Sequence, residues 1–167
     1  MASDSDYAVY VCVADTGEGE RHYVTPLPPN VVAETGLPAH AILGVLTEPI
    51  ESGDKITPDN FVQNRAFVDF LHHFVEQYAP IDPPFRKHAQ EMKDGWIYII
   101  DQRTLTPEGE VPPEDIIGAF QVVQGTVLPG YKRNDNHRLL TESGFFRLSE
   151  KLQRIMVRNL SAQARDK

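Results

Sequence analysis

Residues 64–79 read NRAFVDFLHHFVEQYA, and they decide the fold class. Phe67, Phe70, Leu71, Phe74, Val75 and Tyr78 fall at i, i+3, i+4, i+7, i+8 and i+11, which is one apolar stripe of an α-helix. Asn64 is placed to cap its start. Pro80 ends it, because the residue before a proline avoids the α region. Asp82-Pro83-Pro84 then reads as an N-cap followed by first-turn prolines. This second helix is expected to bury Phe85, Ala89 and Met92 and to end near Gly95.

The flanking segments carry strand periodicity. Upstream, residues 7–14 and 21–25 make a hairpin around the turn chemistry of Asp15, Gly17 and Gly19. Residues 30–35 form a short helical turn closed by Gly36, and residues 41–46 form another strand. Downstream, WIYII at 96–100 and IIGAFQVV at 116–123 are apolar on both strand faces, as in central strands covered on both sides. Val123-Gln124-Gly125 fits a type I turn with glycine at the bulge. A last helix starts at Ser149 and buries Leu152, Ile155, Met156 and Leu160. Strands, two helices, strands, one helix: this order is α+β. The expectation is one domain over residues 7–163, with a mixed or mainly antiparallel sheet packed by two central helices and a C-terminal helix. Residues 1–6 are expected to be a disordered end and 164–167 a frayed one.

A chain of 167 residues, 41% of them hydrophobic, can bury a core without staples. One cysteine, Cys12, forms no internal disulfide, and within an apolar strand it reads as an inert buried thiol. The opening MASDSD lacks the basic and apolar regions of a secretory signal, so a cytoplasmic protein without a membrane span is expected. The net charge of −8 is unevenly spread. Residues 1–131 hold 7 Lys and Arg against 20 Asp and Glu, a net −13; residues 132–167 hold 9 against 4, a net +5. The acidic body repels phosphates and disfavours nucleic acid as a partner. Arg147, Lys151, Arg154 and Arg158 are spaced for one helix stripe. That stripe is expected to balance the acidic body, and an acidic protein surface is the alternative partner for it.

No phosphate loop, dinucleotide fingerprint, zincin helix, thiolate pair or serine elbow is present in the sequence. No cofactor and no metal are therefore expected. Asp69, His72, His73 and Glu76 share helical spacing, and they are read as a solvated polar face opposite the phenylalanine stripe.

The densest polar run is residues 131–138, YKRNDNHR. It offers Tyr131, Asn136 and His137 as hydrogen-bonding or proton-shuttling groups, and Arg133, His137 and Arg138 as holders of a small anionic ligand. Asp101 ends an apolar strand, where a rigid backbone can fix an acid, or where it can simply pair with Arg103. The reading that leads is a binding or protein-interaction domain without a catalytic signature. The alternative is an enzyme of unknown class, with an acid–base and anion-binding site around 131–138 and Asp101. Self-association through a free strand edge is a third option.

Residues 49–61, PIESGDKITPDNF, are similar to the strand–turn–strand segment of antifreeze-like (SAF) modules. Those modules show an apolar residue, a glycine three later, then Ile-Thr before an acidic–apolar pair. The resemblance implies a small β-clip fold that binds sugars or assists pilus and flagellar assembly. It covers about 13 of the 167 residues, and a long helix follows where that fold expects more strands. It transfers no residue roles.

Overall fold

The structure is a computed structural model, and it describes residues 8–15, 17–48, 56–104 and 109–165. The protein is α+β. Its residues group into two compact units: 1–70 with 139–167, and 71–138.

In the first unit, β1 (Tyr10–Asp15) and β2 (Glu20–Thr25) form the expected hairpin, paired from Tyr10 with Thr25 to Asp15 with Glu20. The Gly17 amide donates to Asp15 Oδ1 at 2.9 Å, an Asx turn that holds the loop. Helix α1 (Pro29–Thr35) ends at Gly36, whose amide donates to Val32 O. Strands β3 (Gly44–Leu46) and β4 (Phe61–Gln63) complete an antiparallel sheet in the order β1-β2-β3-β4. The strand expected at 41–46 is thus shorter. Residues Ala39–Ala41 form a 3-10 turn instead. Asn64 Nδ2 takes the carbonyls of Ala39 and Ile42 at 2.8 and 2.9 Å, so a side chain serves them in place of a strand ladder.

Helix α2 (Arg65–Tyr78) follows Asn64 as the phenylalanine stripe requires. Asn64 Oδ1 accepts the Ala66 amide at 3.4 Å. Phe67, Leu71, Phe74 and Val75 are buried, while Phe70 is half-buried. The division between the units falls inside this helix, after Phe70. The first unit ends with the hairpin β9 (Leu140–Thr141) and β10 (Gly144–Phe145), then α4 (Glu150–Arg165). Phe146 stands 5.6 Å from Phe67, ring to ring. Leu152, Met156 and Leu160 of α4 are buried as expected, and Ile155 is half-buried.

Three details of α4 differ from expectation. The Ser149 hydroxyl is buried without a hydrogen-bond partner among the described residues, so it does not cap the helix. Arg147 precedes the helix and cannot join a helical stripe; Arg154 pairs with Glu150, one turn back on its own helix. The α4 backbone also continues to Arg165, past the expected domain end at 163.

In the second unit, α3 (Pro83–Met92) starts after Asp82, although the Asp82 side chain makes no cap hydrogen bond. Ala89 is buried, with Phe85 and Met92 half-buried. The helix is closed not at Gly95 but by Lys93, at φ 71, whose amide donates to Ala89 O. Gly95 already belongs to β5 (Gly95–Ile100). Strand β6 (Ile116–Val123) is central, flanked by β5 and by β7 (Thr126–Val127) and β8 (Lys132–Arg133), all antiparallel to it. Strand β5 is not the covered central strand that its sequence resembles. Among the described residues it pairs with β6 alone, and Trp96 and Tyr98 are 39% and 54% exposed. The β6–β7 loop is also of another type. Gln124 and Gly125 both have left-handed φ, 50° and 77°, and Val123 pairs with Thr126: a two-residue type I′ hairpin, whose twist suits the strands better than a type I turn would.

All strand pairings among the described residues are antiparallel. Among them, no helix is long and apolar enough to cross a membrane. The first six residues, most of the 49–61 segment and the last two residues lie outside the described ones.

Phe67 and Phe74 are the buried phenylalanine rings of α2, and truncating either leaves a cavity. Phe67→Ala and Phe74→Ala should each cost about 3–5 kcal/mol in urea denaturation, and half-buried Phe70→Ala clearly less.

Candidate functional site

Strand β5 delivers Asp101 to its C-terminal end, where the β5–β6 register shifts between Ile99 and Ile100. The chain then turns tightly. The Arg103 amide donates to Asp101 Oδ1 at 3.1 Å, and the Thr104 amide to Asp101 O at 3.1 Å. This turn folds Arg103 inward, where it is 6% exposed. A buried guanidinium needs both charge and hydrogen-bond acceptors. Its Nε donates to Asp115 Oδ1 at 2.8 Å and stands 3.6 Å from Asp101 Oδ2. Its Nη2 donates to Glu114 O at 3.0 Å and to Arg138 O at 2.7 Å. The second oxygen of Asp115 accepts from the Thr104 hydroxyl at 2.8 Å.

The polar run 131–138 wraps the same core. After β8, the Asn134 amide group donates to Pro113 O and Ile116 O at 2.7 and 2.8 Å. Asn134 also accepts twice: Oδ1 from the Asn136 amide, and O from the His137 amide. This loop sets the buried His137 ring against Asp101, Nε2 to Oδ2 at 3.0 Å. Two residues 36 positions apart in sequence thus form a buried acid–imidazole pair, with Asp101 fully inaccessible and His137 5% exposed.

The other candidates go elsewhere. The Arg133 guanidinium pairs with Asp135 at 3.3 Å on the surface. Asn136 and the Arg138 side chain are exposed, and it is the Arg138 backbone that meets Arg103. Tyr131 lies under β6, beside Phe120 at 5.1 Å between rings. Gly118 makes this possible: a Cβ there would overlap the Tyr131 ring.

His72 leaves the solvated face that its spacing implied. It is 4% exposed, and its Nδ1 lies 2.6 Å from Tyr131 Oη, while His73 and Glu76 on the same helix are exposed. The reason is angular. One residue after Leu71, His72 lies at the border of the apolar stripe, and Tyr131 supplies the polar partner that burial demands. Burial raises the Tyr131 pKa above its ordinary value; nearby Arg133 opposes the rise and Glu76 adds to it. The phenol therefore keeps its proton; its oxygen lies within hydrogen-bond distance of His72 Nδ1 and of Ile117 O, and the His72 tautomer sets which of the pair donates.

Sequence reasoning named Asp101 and His137 but missed Asp115, Thr104, Asn134 and the His72–Tyr131 pair. Asp115 sits in the acidic, proline-rich PPED and resembles any surface loop acid. The one available signal was Arg103 in the sequence Asp-Gln-Arg-Thr, straight after an apolar strand. Clefts of about 210, 560 and 200 Å³ have other linings: Arg86, Gln90 and the β6–β7 loop; Pro58 and Asp59 with Thr141; and Cys12 with α1. No group of three or more His, Cys, Asp or Glu among the described residues is arranged to hold a metal ion. No known family model matches the sequence, and no curated protein or solved structure matches it.

Arg103→Gln would strand two buried carboxylates. It should cost about 3–5 kcal/mol in denaturant titration, far more than loss of the surface pair by Arg133→Gln, at about 1 kcal/mol or less. A second expectation concerns pH. The folded state binds the Tyr131 proton more tightly than the unfolded chain, so stability is whole below about pH 10 and falls as pH rises beyond it. Melting curves from pH 8 to 11 should fall more steeply for the wild type than for Tyr131→Phe.

Proposed function

We propose that this chain is a protein-interaction module, without catalysis, whose contact surface is the outer face of the β5–β6–β8 sheet. One observation carries the reading: Trp96, Tyr98 and Val123 stand 39%, 54% and 39% exposed on that one sheet. Trp96 lies opposite Gln121, and Tyr98 opposite Ala119, which in turn pairs with Lys132. The Lys132 ammonium sits 5.5 Å from the centre of the Trp96 ring. Large aromatic side chains on an exposed face are costly to leave in water, and they are enriched at protein contacts together with nearby cations. The polar groups that a catalytic site would need open are instead engaged internally: Arg103 binds carboxylates and carbonyls, and Asp101 binds Arg103 and His137. A cytoplasmic setting belongs to the same reading, with Cys12 free and half-buried.

A second reading, an acid–base enzyme, draws on the 3.0 Å Asp101–His137 pair. A thermal-shift screen against metals, nucleotides and sugars separates the two. A specific ligand at 100 times its Kd adds about 2.7 kcal/mol, and His137→Gln would abolish that gain only if the ligand used this pair.

The direct test places a photo-crosslinking side chain at position 98, with exposed position 88 on α3 as control, in the protein's own cells. A discrete covalent adduct with a protein chain is expected from position 98 and not from 88. The absence of any adduct from position 98 would refute the reading.

A further inference from the structure

We infer that the cleft between α3 and the β6–β7 hairpin is a binding site for a small monocarboxylate, with Arg86 holding its charge. The site uses neither Trp96 nor Tyr98, so it goes beyond the interaction reading and does not depend on it.

The walls of the cleft are fixed by the fold. The Gly125 amide donates to Lys93 O at 2.8 Å, just past the end of α3, and the Gln124 amide donates to Asp94 Oδ1 at 3.1 Å. The turn rests closely on the helix: a Cβ on Gly125 would stand 3.4 Å from Gln90 Cα. Arg86 and Gln90, four residues apart on α3, share one face of that helix. They line the cleft from the helix, and Gly125, Thr126 and Val127 line it from the hairpin, with Pro80 beside them.

The polar side chains of this cleft are uncommitted. Among the described residues, Arg86, Gln90 and Thr126 make no side-chain hydrogen bond or ion pair within the protein, and Arg86 does not pair with Asp82, one turn back. Arg103, Arg133 and Arg154, by contrast, are each held by a carboxylate. No Asp or Glu lines the cleft. Of the clefts at Gln90, Asp59 and Cys12, this one alone combines a cation with no acid; the second holds Asp59 and Glu142, and the third has no charged residue. In a chain of net charge −8, a guanidinium left without a carboxylate is a place for an anion to settle.

Residue type and size set the class of ligand. A guanidinium presents parallel N–H donors that match the two oxygens of a carboxylate. One cation neutralises one negative charge, whereas a phosphate dianion would bring a second charge with no partner. The Gln90 amide and the Thr126 hydroxyl can serve another polar group on the ligand, and Pro80 and Val127 offer apolar contact to its carbon chain. The volume, about 210 Å³, is the space of about seven waters. It falls below the roughly 300–1,000 Å³ of drug-sized sites. A short hydroxy acid fits, and a nucleotide does not.

An NMR titration of the isotope-labelled full chain at constant ionic strength tests the site, with lactate, propionate, propionamide and inorganic phosphate as probes. Lactate is expected to bind saturably with a Kd of roughly 1–10 mM, shifting the amide signals of α3 and of Gly125, Thr126 and Val127. Propionate should bind several-fold more weakly, and propionamide not at all. Arg86→Gln should weaken lactate at least tenfold, and Arg86→Lys, which keeps the charge without the planar fork, by less. Lys87→Gln removes the same charge from the next exposed position of the helix and should change nothing. Gln90→Ala combined with Thr126→Val should bring lactate down to the affinity of propionate. Arg86, Gln90 and Thr126 are exposed, so the melting temperatures should stay unchanged. Shifts that do not saturate overturn the proposal, as do lactate binding that survives Arg86→Gln and propionamide binding equal to propionate. Phosphate binding tighter than either carboxylate overturns it too, since the site would then select another class of anion.

Discussion

One buried guanidinium organises the second unit. Arg103 cannot be left in an apolar interior without counter-charge and acceptors, and meeting that need ties down three segments. Asp101 at the end of β5 and Asp115 before β6 supply the negative charge. The carbonyls of Glu114 and Arg138 take the remaining donors. Together with the Asp101 amide bonded to Asp115 O, these contacts close the long β5–β6 connection at its base and pull the 131–138 loop onto it. His137 is held against Asp101 as part of the same network. An apolar contact could not impose this geometry, because it has no direction; a guanidinium with fixed donor positions can.

This arrangement bears on function through what it leaves free. The polar run 131–138 looks like a binding loop when its side chains are counted, but three of its eight side chains are committed inside the unit, and two more pair with each other on the surface. Asn134 binds two carbonyls, His137 binds Asp101, Tyr131 binds His72, and Arg133 pairs with Asp135. What faces solvent on the same sheet is aromatic: Trp96 and Tyr98 on β5, with Lys132 over the indole. Proton-transfer chemistry wants polar groups that can reach a substrate, whereas association wants apolar surface that water can be driven from. The proposed interaction role rests on this exposed aromatic patch.

Several elements were legible from local chemistry alone. The apolar stripe of α2 has one geometry that buries it, so its span follows from its spacing to within a residue at each end. The β1–β2 hairpin, the α1 terminus at Gly36 and the apolar face of α4 follow from turn and helix rules in the same way. The misreadings share a cause, which is that a neighbour distant in sequence overrode a local preference. Asn64 took the carbonyls that would have extended β3. His72, on the margin of a stripe, was drawn inside by Tyr131, 59 residues on. Helix α3 closed at Lys93 rather than Gly95, where Lys93 O accepts the Gly125 amide and Asp94 Oδ1 the Gln124 amide.

The clearest division between the two levels is at β5 and Arg103. Periodicity determined that residues 96–100 form a strand and that apolar groups lie on both its faces, because alternation and β propensity act within a few residues. Whether that strand lies at the centre of a sheet or at its edge depends on how many partners reach it, and no local residue encodes that. Likewise, the sequence by itself marked Asp101 and His137 as polar residues of chemical interest. Their approach to 3.0 Å, and their use as props for a buried arginine, were decided by the tertiary structure alone. A buried charge must collect its acceptors from wherever the chain returns, and that return is a property of the whole fold.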